Sequence, residues 1–364
     1  MDLELLRERA AIIRGVRSFF DRRNYTETDT PLLAPDLIPE SCLEAFETLR
    51  ILPGIEPAGP CSESRAGAKP YWLIPSPEIW MKRLIAQHRA NIYQICKCFR
   101  NGESSGRQHS PEFTMLEYYT MEADYRDSLT LTEALIRFLL DDPGVLTGTD
   151  DIIRADLSPP FTRLTVEEAF AEFAGFDLYK AASSSGAMEE EARRLGLFQP
   201  AGHSTASGLP SGLSVADLYN LIFIHAVEPS LPRDKPVALM DYPAFVPCLA
   251  KKGADGNTVE RWEIYARGIE LANCFSEETR ADEVRRFFIS EQAEKERKAL
   301  VHHKIDENYW KIFGGESDIP GNLYPQGNLF PKCSGVAMGL DRLIMLLTGR
   351  KTLDSILPFP MSQF

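Results

Sequence analysis

The chain has 364 residues, of which 44% are hydrophobic and 26% charged, an ordinary globular composition with enough length for a sizeable core. Its 40 Lys and Arg against 53 Asp and Glu give a formal net charge of −13, which argues against broad nucleic-acid binding. No apolar run approaches the roughly 18 residues of a membrane helix, and residues 1–9 lack the apolar stretch of a signal peptide. The sequence therefore predicts a soluble protein with no membrane partner.

The cysteines point to a reducing compartment. There are seven of them, an odd and sparse set, and none has CxxC spacing, so neither a disulfide framework nor a zinc knuckle is predicted. Cys96 and Cys98 form an isolated CxC whose apolar neighbours favour two buried free thiols. We expect a cytoplasmic location.

Hydrophobic periodicity and turn residues predict the order of the elements. Antiparallel strand pairs separated by helices in irregular order predict an α+β fold with helices packed on one side of the sheet. With no internal repeat, a single domain over 1–364 is expected. The predicted elements are an amphipathic helix from Leu6 to Phe20, an edge strand over 25–30, a loop over 51–69, a helix over 78–87, strands over 91–99 and 112–119 joined as a hairpin, a helix over 127–140, a mobile surface segment over 181–213, a helix over 215–227, a strand over 236–241, a strand pair or one long strand over 260–273, an exposed charged helix over 281–300, and a strand over 335–341 that runs into a helix over 342–349.

The hairpin over 99–117 carries the first group of candidate functional residues. Neither GxxxxGK[ST] nor GxGxxG occurs, so any nucleotide chemistry must use side chains rather than these phosphate-binding loops. Arg100 and Glu117 lie at or near a strand, while Arg107 and His109 lie on the loop, where they could meet a polyphosphate. Taken alone, such a hairpin is more often only a solvated turn.

The second group is Glu263, Glu270 and Glu277, each seven residues from the next. Two carboxylates on adjoining strand segments could share a divalent cation, and oxygen is the donor that Mg²⁺ prefers. A charged strand face is the alternative. Because the residues around Glu270 are mostly apolar, its carboxylate needs a partner, which could be a ligand.

The third group is the segment 335–342. Its small residues let a backbone approach a ligand closely, and Arg342 begins a helix from which it could reach a phosphate or stack on a base. Glycine packing between a strand and a helix explains the pattern equally well.

Three segments of the chain together resemble the three signature motifs of class II aminoacyl-tRNA synthetases. These are a long helix and strand with Pro31, an FR…HxxxFxxxE hairpin, and a GxGxxR-like strand and helix in which Ala337 replaces the first glycine while Gly339 and Arg342 match. Residues 76–78, 109–119 and 268–273 resemble the lysine branch, and the likeness runs from about 10 to 356. A lysine-type core without the N-terminal anticodon-binding barrel is similar to the elongation factor P lysine ligase family.

The resemblance implies a class II synthetase-like antiparallel sheet flanked by helices, and a homodimer formed through the first motif. It also implies activation of lysine or (R)-β-lysine with ATP and Mg²⁺, followed by transfer to a lysine side chain of elongation factor P, with no tRNA expected. A truncated lysyl-tRNA synthetase is one alternative. Another alternative is a catalytically silent paralogue that acts as a regulatory binding subunit. A silent subunit would not need a complete set of ATP and metal residues, which are present here as Arg100, His109, Glu263, Glu270, Glu277 and Arg342.

The family's functional residues carry over by position. Cys274 stands where the family often has glycine, and its side chain would narrow the amino-acid pocket or change which lysine isomer fits. The lysine branch usually has the sequence FRNE. Here Gly102 follows Asn101, so Glu103 lies one position later than the glutamate of that pattern. The resemblance implies Arg100 on the α-phosphate, Glu103 on the adenine amino group, Arg107 and His109 on the outer phosphates, Phe113 on one adenine face, Arg342 on the other face and the γ-phosphate, Glu263 and Glu270 on Mg²⁺, Glu277 and Tyr119 on the substrate ε-ammonium, and Glu78, Glu117 and Asn273 around the amino-acid end.

Overall fold

A computed structural model describes residues 3–51, 68–103, 106–146, 151–197, 213–314 and 329–363. The helices in these residues are α1 (Leu3–Asp21), α2 (Glu78–His88), α3 (Tyr125–Asp141), α4 (Asp151–Leu157), α5 (Val166–Ala169), α6 (Leu178–Ala181), α7 (Ser185–Arg194), α8 (Val215–Ile222), α9 (Ala281–Lys298), α10 (Lys311–Gly314) and α11 (Leu340–Leu347), with π-helical turns at Phe170–Ala174 and Phe223–Val227 and 3₁₀ turns at Glu228–Ser230, Leu353–Ser355 and Met361–Gln363. The strands are β1 (Thr26–Glu27), β2 (Leu33–Ala34), β3 (Phe46–Ile51), β4 (Ala68–Leu73), β5 (Ile92–Phe99), β6 (Glu112–Met121), β7 (Thr162–Thr165), β8 (Val237–Pro243), β9 (Thr258–Ala266), β10 (Ile269–Ser276) and β11 (Cys333–Gly339).

The strands form two sheets. Within the described residues, eight strands belong to a mixed sheet, and β2, β4 and β3 form a separate sheet in that order. The pairs β5–β6, β8–β9 and β9–β10 of the mixed sheet are antiparallel, and the pairs β1–β5 and β7–β8 are parallel. The predicted α+β class, a sheet flanked by helices, is therefore confirmed, with parallel pairs that the sequence did not indicate.

The chain divides into two compact units. The first comprises Met1–Glu122, Glu278–Cys333 and Ala337–Phe364, and the second comprises Ala123–Glu277 and Ser334–Val336. Strand β11 therefore contributes residues to both units. A single domain over 1–364 stays a prediction.

The core of the first unit lies between α1 and the β5–β6 hairpin. Phe20 of α1 stacks on Tyr93 of β5 with ring centroids 4.8 Å apart, and its ring lies 4.9 Å from that of Tyr118 on β6. Tyr93 and Tyr118 are cross-strand partners, and strand side chains alternate between faces. The register places a second set of side chains, here called the hairpin face, on the side away from α1: Gln94, Cys96, Cys98, Phe113, Met115, Glu117 and Tyr119.

The second unit has helices on both faces of its strands. The Trp262 indole of β9 donates to the carbonyl of Tyr125 at the start of α3. The opposite face carries Tyr265 and Leu239, which pack with α5 and α8. The expectation of helices on one side only is wrong here, because β8 buries apolar side chains on both faces and each face needs a cover.

Most predicted elements of the motif segments are confirmed to within three residues. The predicted loop over 51–69 begins at the last residue of β3 and ends in β4, and its residues 52–67 lie outside the described ones. Within the predicted mobile segment, Ser185–Arg194 form α7 with Met188 and Ala192 buried, while 198–212 lie outside the described residues. No helix in the described part of the chain is long and apolar enough to cross a membrane.

Candidate active site

A buried cluster of Arg9, Thr114 and Asp341 joins α1, β6 and α11 of the first unit. The Arg9 guanidinium lies 2.7 Å from the Asp341 carboxylate and donates a hydrogen bond of 3.0 Å to the Thr114 hydroxyl. The Thr114 amide donates to the second oxygen of Asp341 at 2.6 Å. Sequence reasoning gave Asp341 no role, although a carboxylate at the start of an apolar helix, α11, was a visible signal. This Arg9–Thr114–Asp341 cluster fixes the three motif segments relative to one another.

Arg100 and Phe113, two residues predicted to bind ATP, lie together beside the hairpin face. The Arg100 guanidinium carbon is 5.2 Å from the Phe113 ring centroid, within cation–π range. The Arg100 amide donates to the carbonyl of Pro111 at 2.9 Å, which closes the hairpin just beyond the strand ends. Arg100 Nε is buried and has no hydrogen-bond partner among the described residues. The pair thus offers a flat aromatic surface and a cation with an unused donor.

The hairpin loop brings further predicted ATP residues together. His109 Nε2 lies 4.0 Å from the Glu103 carboxylate, and Arg342 Nε donates to the carbonyl of Gln108 at 3.1 Å. Burial lowers the pKa of the His109 imidazole, and the positive charge of Arg342 lowers it further. The Arg107 carbonyl accepts from the Leu353 amide at 2.9 Å, which anchors the loop to the C-terminal segment. The loop therefore carries Arg107 and His109, and Arg342 of α11 is hydrogen-bonded to its backbone.

The predicted amino-acid residues include buried carboxylates with few cations. The Tyr119 hydroxyl donates to one oxygen of Glu117 at 2.7 Å, and the fully buried Lys82 donates to Glu78 at 2.5 Å. The other Glu117 oxygen is buried without a hydrogen-bond partner in the described residues. Burial, together with the charge of Glu78, raises the pKa of Glu117 well above its ordinary value. An ammonium group from a ligand would supply the missing counter-charge.

Glu40 is a third carboxylate of this region, and sequence reasoning missed it. Burial and the charge of Glu78 raise the pKa of Glu40 to about 7, against the smaller opposing effects of Arg100 and Lys295. We call Glu40, Glu78 and Glu117 the carboxylate cluster.

Two buried charged residues of α9 hold the segment that carries Glu40. Lys295 Nζ donates to the Glu40 carbonyl at 3.0 Å and to that of Leu43, and the Ser41 amide donates to Glu291 at 2.8 Å. Both α9 residues are less than a tenth exposed, so the predicted exposure of this helix is wrong for them. The missed signal was positional, because Glu291 and Lys295 continue the helical stripe of the buried residues Val284 and Phe288.

In the second unit, the predicted metal residues lie on one face of the β9–β10 pair. Glu263 is opposite Asn273 and Glu270 is opposite Tyr265, and a bulge between Glu270 and Ala272 keeps Glu270 and Asn273 on the same face. Both Glu263 oxygens are engaged, one by Arg261 at 2.5 Å and the other by the Tyr265 hydroxyl at 2.7 Å.

Glu263 and Glu270 thus form a pair of oxygen donors on one face of these two strands. Carboxylate oxygens suit Mg²⁺ chemically, but no group of three or more His, Cys, Asp or Glu in the described residues could hold a metal ion. Each Glu263 oxygen accepts one hydrogen bond and keeps a further lone pair for a cation.

Cys274 lies on β10, and Glu277 is the first residue after this strand. Glu277 is 2% exposed and pairs with Ala250 through an isolated bridge. Cys274 is opposite Trp262, so its thiol points away from the face of Asn273, and it lies 3.1 Å from the Ser334 hydroxyl. Burial and the charge of Glu277 raise the pKa of the Cys274 thiol. The effect of Cys274 on the amino-acid pocket stays a prediction.

Comparisons with known proteins agree with the motif assignment. A family model of class II tRNA synthetases (D, K and N) matches residues 3–363. The chain belongs to this family. Relatives from Avibacterium paragallinarum and Pectobacterium atrosepticum are each 32% identical to it, over 98% of this chain and 95% of the relative. A relative from Vibrio atlanticus is 31% identical, over 98% of this chain and 96% of the relative. All three are named elongation factor P–(R)-β-lysine ligase.

As a member of the class II synthetase family, the protein is an ATP-dependent amino-acid ligase. The Arg9–Thr114–Asp341 cluster joins one residue from each of the three class II motif segments. It thereby fixes the segments that present the Arg100–Phe113 pair and Arg342. Their roles toward ATP stay predictions, as do those of the second unit's Asn273 and Glu277.

Proposed function

We propose that the protein activates lysine or (R)-β-lysine with ATP and transfers it to a lysine side chain of elongation factor P. The observation that carries the proposal is the carboxylate cluster beside Arg100. Buried carboxylates whose pKa values are raised suit a ligand with ammonium groups, and a guanidinium suits phosphate and carboxylate. The names of relatives that match nearly the whole chain support elongation factor P as the acceptor.

In the activation step, a carboxylate oxygen of the amino acid attacks the α-phosphorus of ATP and pyrophosphate leaves. We assign Arg100 to the α-phosphate, where its charge stabilises the negative charge that develops. Phe113 stacks on one adenine face, and Arg342 covers the other. Glu103 binds the adenine amino group, while Arg107 and His109 bind the outer phosphates.

The amino acid is oriented by its ammonium groups. Glu78 and Glu117 bind the end near the reacting carboxyl, with Tyr119 holding Glu117 in place, and Asn273 also contributes. Glu277 and Tyr119 receive the ε-ammonium. Holding both ends converts the attack into an oriented, intramolecular-like reaction.

Divalent cation chemistry would neutralise the phosphate charges during the attack, with Glu263 and Glu270 as the residues that would hold Mg²⁺. In the transfer step, the acceptor amine attacks the adenylate carbonyl and AMP leaves. The free pKa of a lysine side chain is about 10.4, so the docked acceptor amine must lose its proton before it attacks.

Intact-mass analysis of elongation factor P tests the proposal. After incubation with the protein, ATP and either lysine isomer, we expect a gain of one lysyl unit on the acceptor. Arg100→Ala should abolish the gain, and Arg193→Ala, a matched change on the exposed face of α7, should leave it intact. A parallel assay measures the labelling of lysine tRNA. Efficient charging of tRNA with unmodified elongation factor P would overturn the proposed acceptor.

We also propose that the protein is a cytoplasmic homodimer that pairs through α1. Leu3 and Leu6 on this helix are 60% and 38% exposed, which supports a partner surface. Sedimentation at micromolar concentration should give twice the chain mass, and a monomer at that concentration would contradict the proposal.

A further inference from the structure

The CxC of β5 has no role in the proposed reaction. Residues two apart on a strand lie on the same side, so Cys96 and Cys98 both belong to the hairpin face. Their sulfur atoms are 3.8 Å apart, and both thiols are free. The pair is therefore a preformed dithiol rather than two unrelated cysteines.

A third sulfur lies across from the pair. The β5–β6 register puts Met115 directly opposite Cys96 on the same face, where cross-strand Cβ atoms are about 4.5 to 5.5 Å apart. Cys98 is fully buried and Met115 is 4% exposed, while Cys96 is partly exposed and gives access from solvent. The next pair on this face is Gln94 with Glu117, and each has a buried polar atom without a hydrogen-bond partner among the described residues.

The spacing and the donor type fit a soft cation. Two thiolates bound at about 2.3 Å to one ion at a near-tetrahedral angle are about 3.8 Å apart. Thiolate and thioether donors select Cu(I) over the harder cations that prefer oxygen.

We propose that Cys96, Cys98 and Met115 form a binding site for one thiophilic cation of the Cu(I) type, and that its occupation inhibits amino-acid activation. Binding forms two copper–thiolate bonds and one copper–thioether bond, and each thiol releases its proton to solvent. No electron is transferred. Inhibition follows because Cys98 is the cross-strand partner of Phe113, so a cation held at Cys98 displaces the proposed adenine platform.

An anaerobic titration with Cu(I), using a chromophoric Cu(I) chelator as competitor, tests the site. The expected result is one Cu(I) per chain at an affinity that competes with the chelator. Cys96→Ser and Cys98→Ser should each weaken binding by at least about 100-fold, since even changes next to metal ligands cost about 10- to 100-fold. Met115→Leu should weaken it by about 10-fold, at the lower end of that range. Thermal unfolding of each variant confirms that it folds.

Cys42→Ser is the matched control, because Cys42 is an exposed thiol outside the hairpin face. It should leave both stoichiometry and affinity unchanged. In the same samples, Cu(I) should inhibit ATP–pyrophosphate exchange by the unmodified protein and by Cys42→Ser, but not by Cys96→Ser. Unchanged binding in Cys96→Ser and Cys98→Ser would show that the sulfurs are only in van der Waals contact and would overturn the site. Full exchange activity with Cu(I) bound would overturn the inhibition.

Discussion

The first unit contains two buried polar clusters that differ in how far they satisfy their charges. In the Arg9–Thr114–Asp341 cluster, one carboxylate oxygen of Asp341 forms an ion pair with Arg9, and the other accepts a hydrogen bond from the Thr114 amide. In the carboxylate cluster, Lys82 is bonded to Glu78, while burial and like charge raise the pKa values of Glu40 and Glu117. An incompletely neutralised buried charge destabilises a fold, so such an arrangement marks the place where a ligand completes it. The closed cluster stabilises the fold, and we propose that the open cluster binds the amino-acid substrate.

The closed cluster predicts the largest change in stability. Asp341→Ala leaves the Arg9 guanidinium buried without its counter-charge, and breaking a buried pair in this way costs about 3 to 5 kcal/mol. We expect a loss of that size in the free energy of unfolding, measured by urea titration at constant slope. Glu189→Ala removes an exposed ion pair with Arg193 on α7 and should cost less than about 1 kcal/mol. Equal losses in the two variants would refute the distinction.

For the open cluster, we expect a substitution to weaken substrate binding and to leave stability unchanged. Glu117→Gln keeps the shape of the side chain but removes a charge that burial destabilises, so stability at pH 8 should not fall. Truncating one member of a buried charge pair costs about 2 to 5 kcal/mol in binding, which is roughly 30-fold to several thousandfold in affinity at about 1.4 kcal/mol per decade. We expect that rise in the KM for lysine during pyrophosphate exchange, with little change in the KM for ATP. Lost stability with an unchanged KM would place Glu117 among the structural residues.

Removing the contacts by which α9 supports the open cluster should have an intermediate effect on stability. Lys295→Met removes hydrogen bonds from a buried ammonium to the carbonyls of Glu40 and Leu43. Hydrogen bonds to charged groups are worth about 1.5 to 3 kcal/mol, so a loss of this order is expected on urea unfolding. Lys298→Met, one turn away on the same helix and half-exposed, is the control and should have a small effect. Similar values for both variants would contradict the role given to Lys295.

The pH dependence of stability tests the Glu40 carboxylate of the open cluster. Glu40 has a folded pKa of about 7 against an ordinary value of 4.5, so between these values the folded state holds more protons than the unfolded state. The Glu40 contribution therefore favours folding below pH 4.5 and is lost as the pH rises to about 7. Over this shift of about 2.5 pH units, the loss amounts to about 3 kcal/mol, at roughly 1.36 kcal/mol per pH unit.

Urea unfolding of the unmodified protein and of Glu40→Gln, from pH 4.5 to pH 8, measures this contribution. The variant should gain stability relative to the unmodified protein across that range, and the gain should level off above pH 7. Glu190→Gln, on the exposed side of α7, should run parallel to the unmodified protein. A constant difference between Glu40→Gln and the unmodified protein would show that Glu40 does not titrate as described.

The sequence predicts the features of the fold that depend on local patterns, but not those that depend on contacts between distant positions. The β5–β6 hairpin and α1 follow from apolar periodicity within one segment, and both are confirmed. The support of Glu40 depends on contacts with Glu291 and Lys295, about 250 positions away, which no local pattern reveals. Within 181–213, composition predicts a mobile surface segment, and helix α7 was not predicted there because it depends on packing of Met188 and Ala192.

ATP–pyrophosphate exchange tests the central claim most directly. The protein alone, with Mg²⁺ and no RNA, should exchange labelled pyrophosphate into ATP when given lysine or (R)-β-lysine, and the exchange should be lost in Arg100→Ala. A comparison of the two isomers would also identify the preferred substrate. No exchange with either isomer by the folded protein would contradict the claim that the open carboxylate cluster serves amino-acid activation.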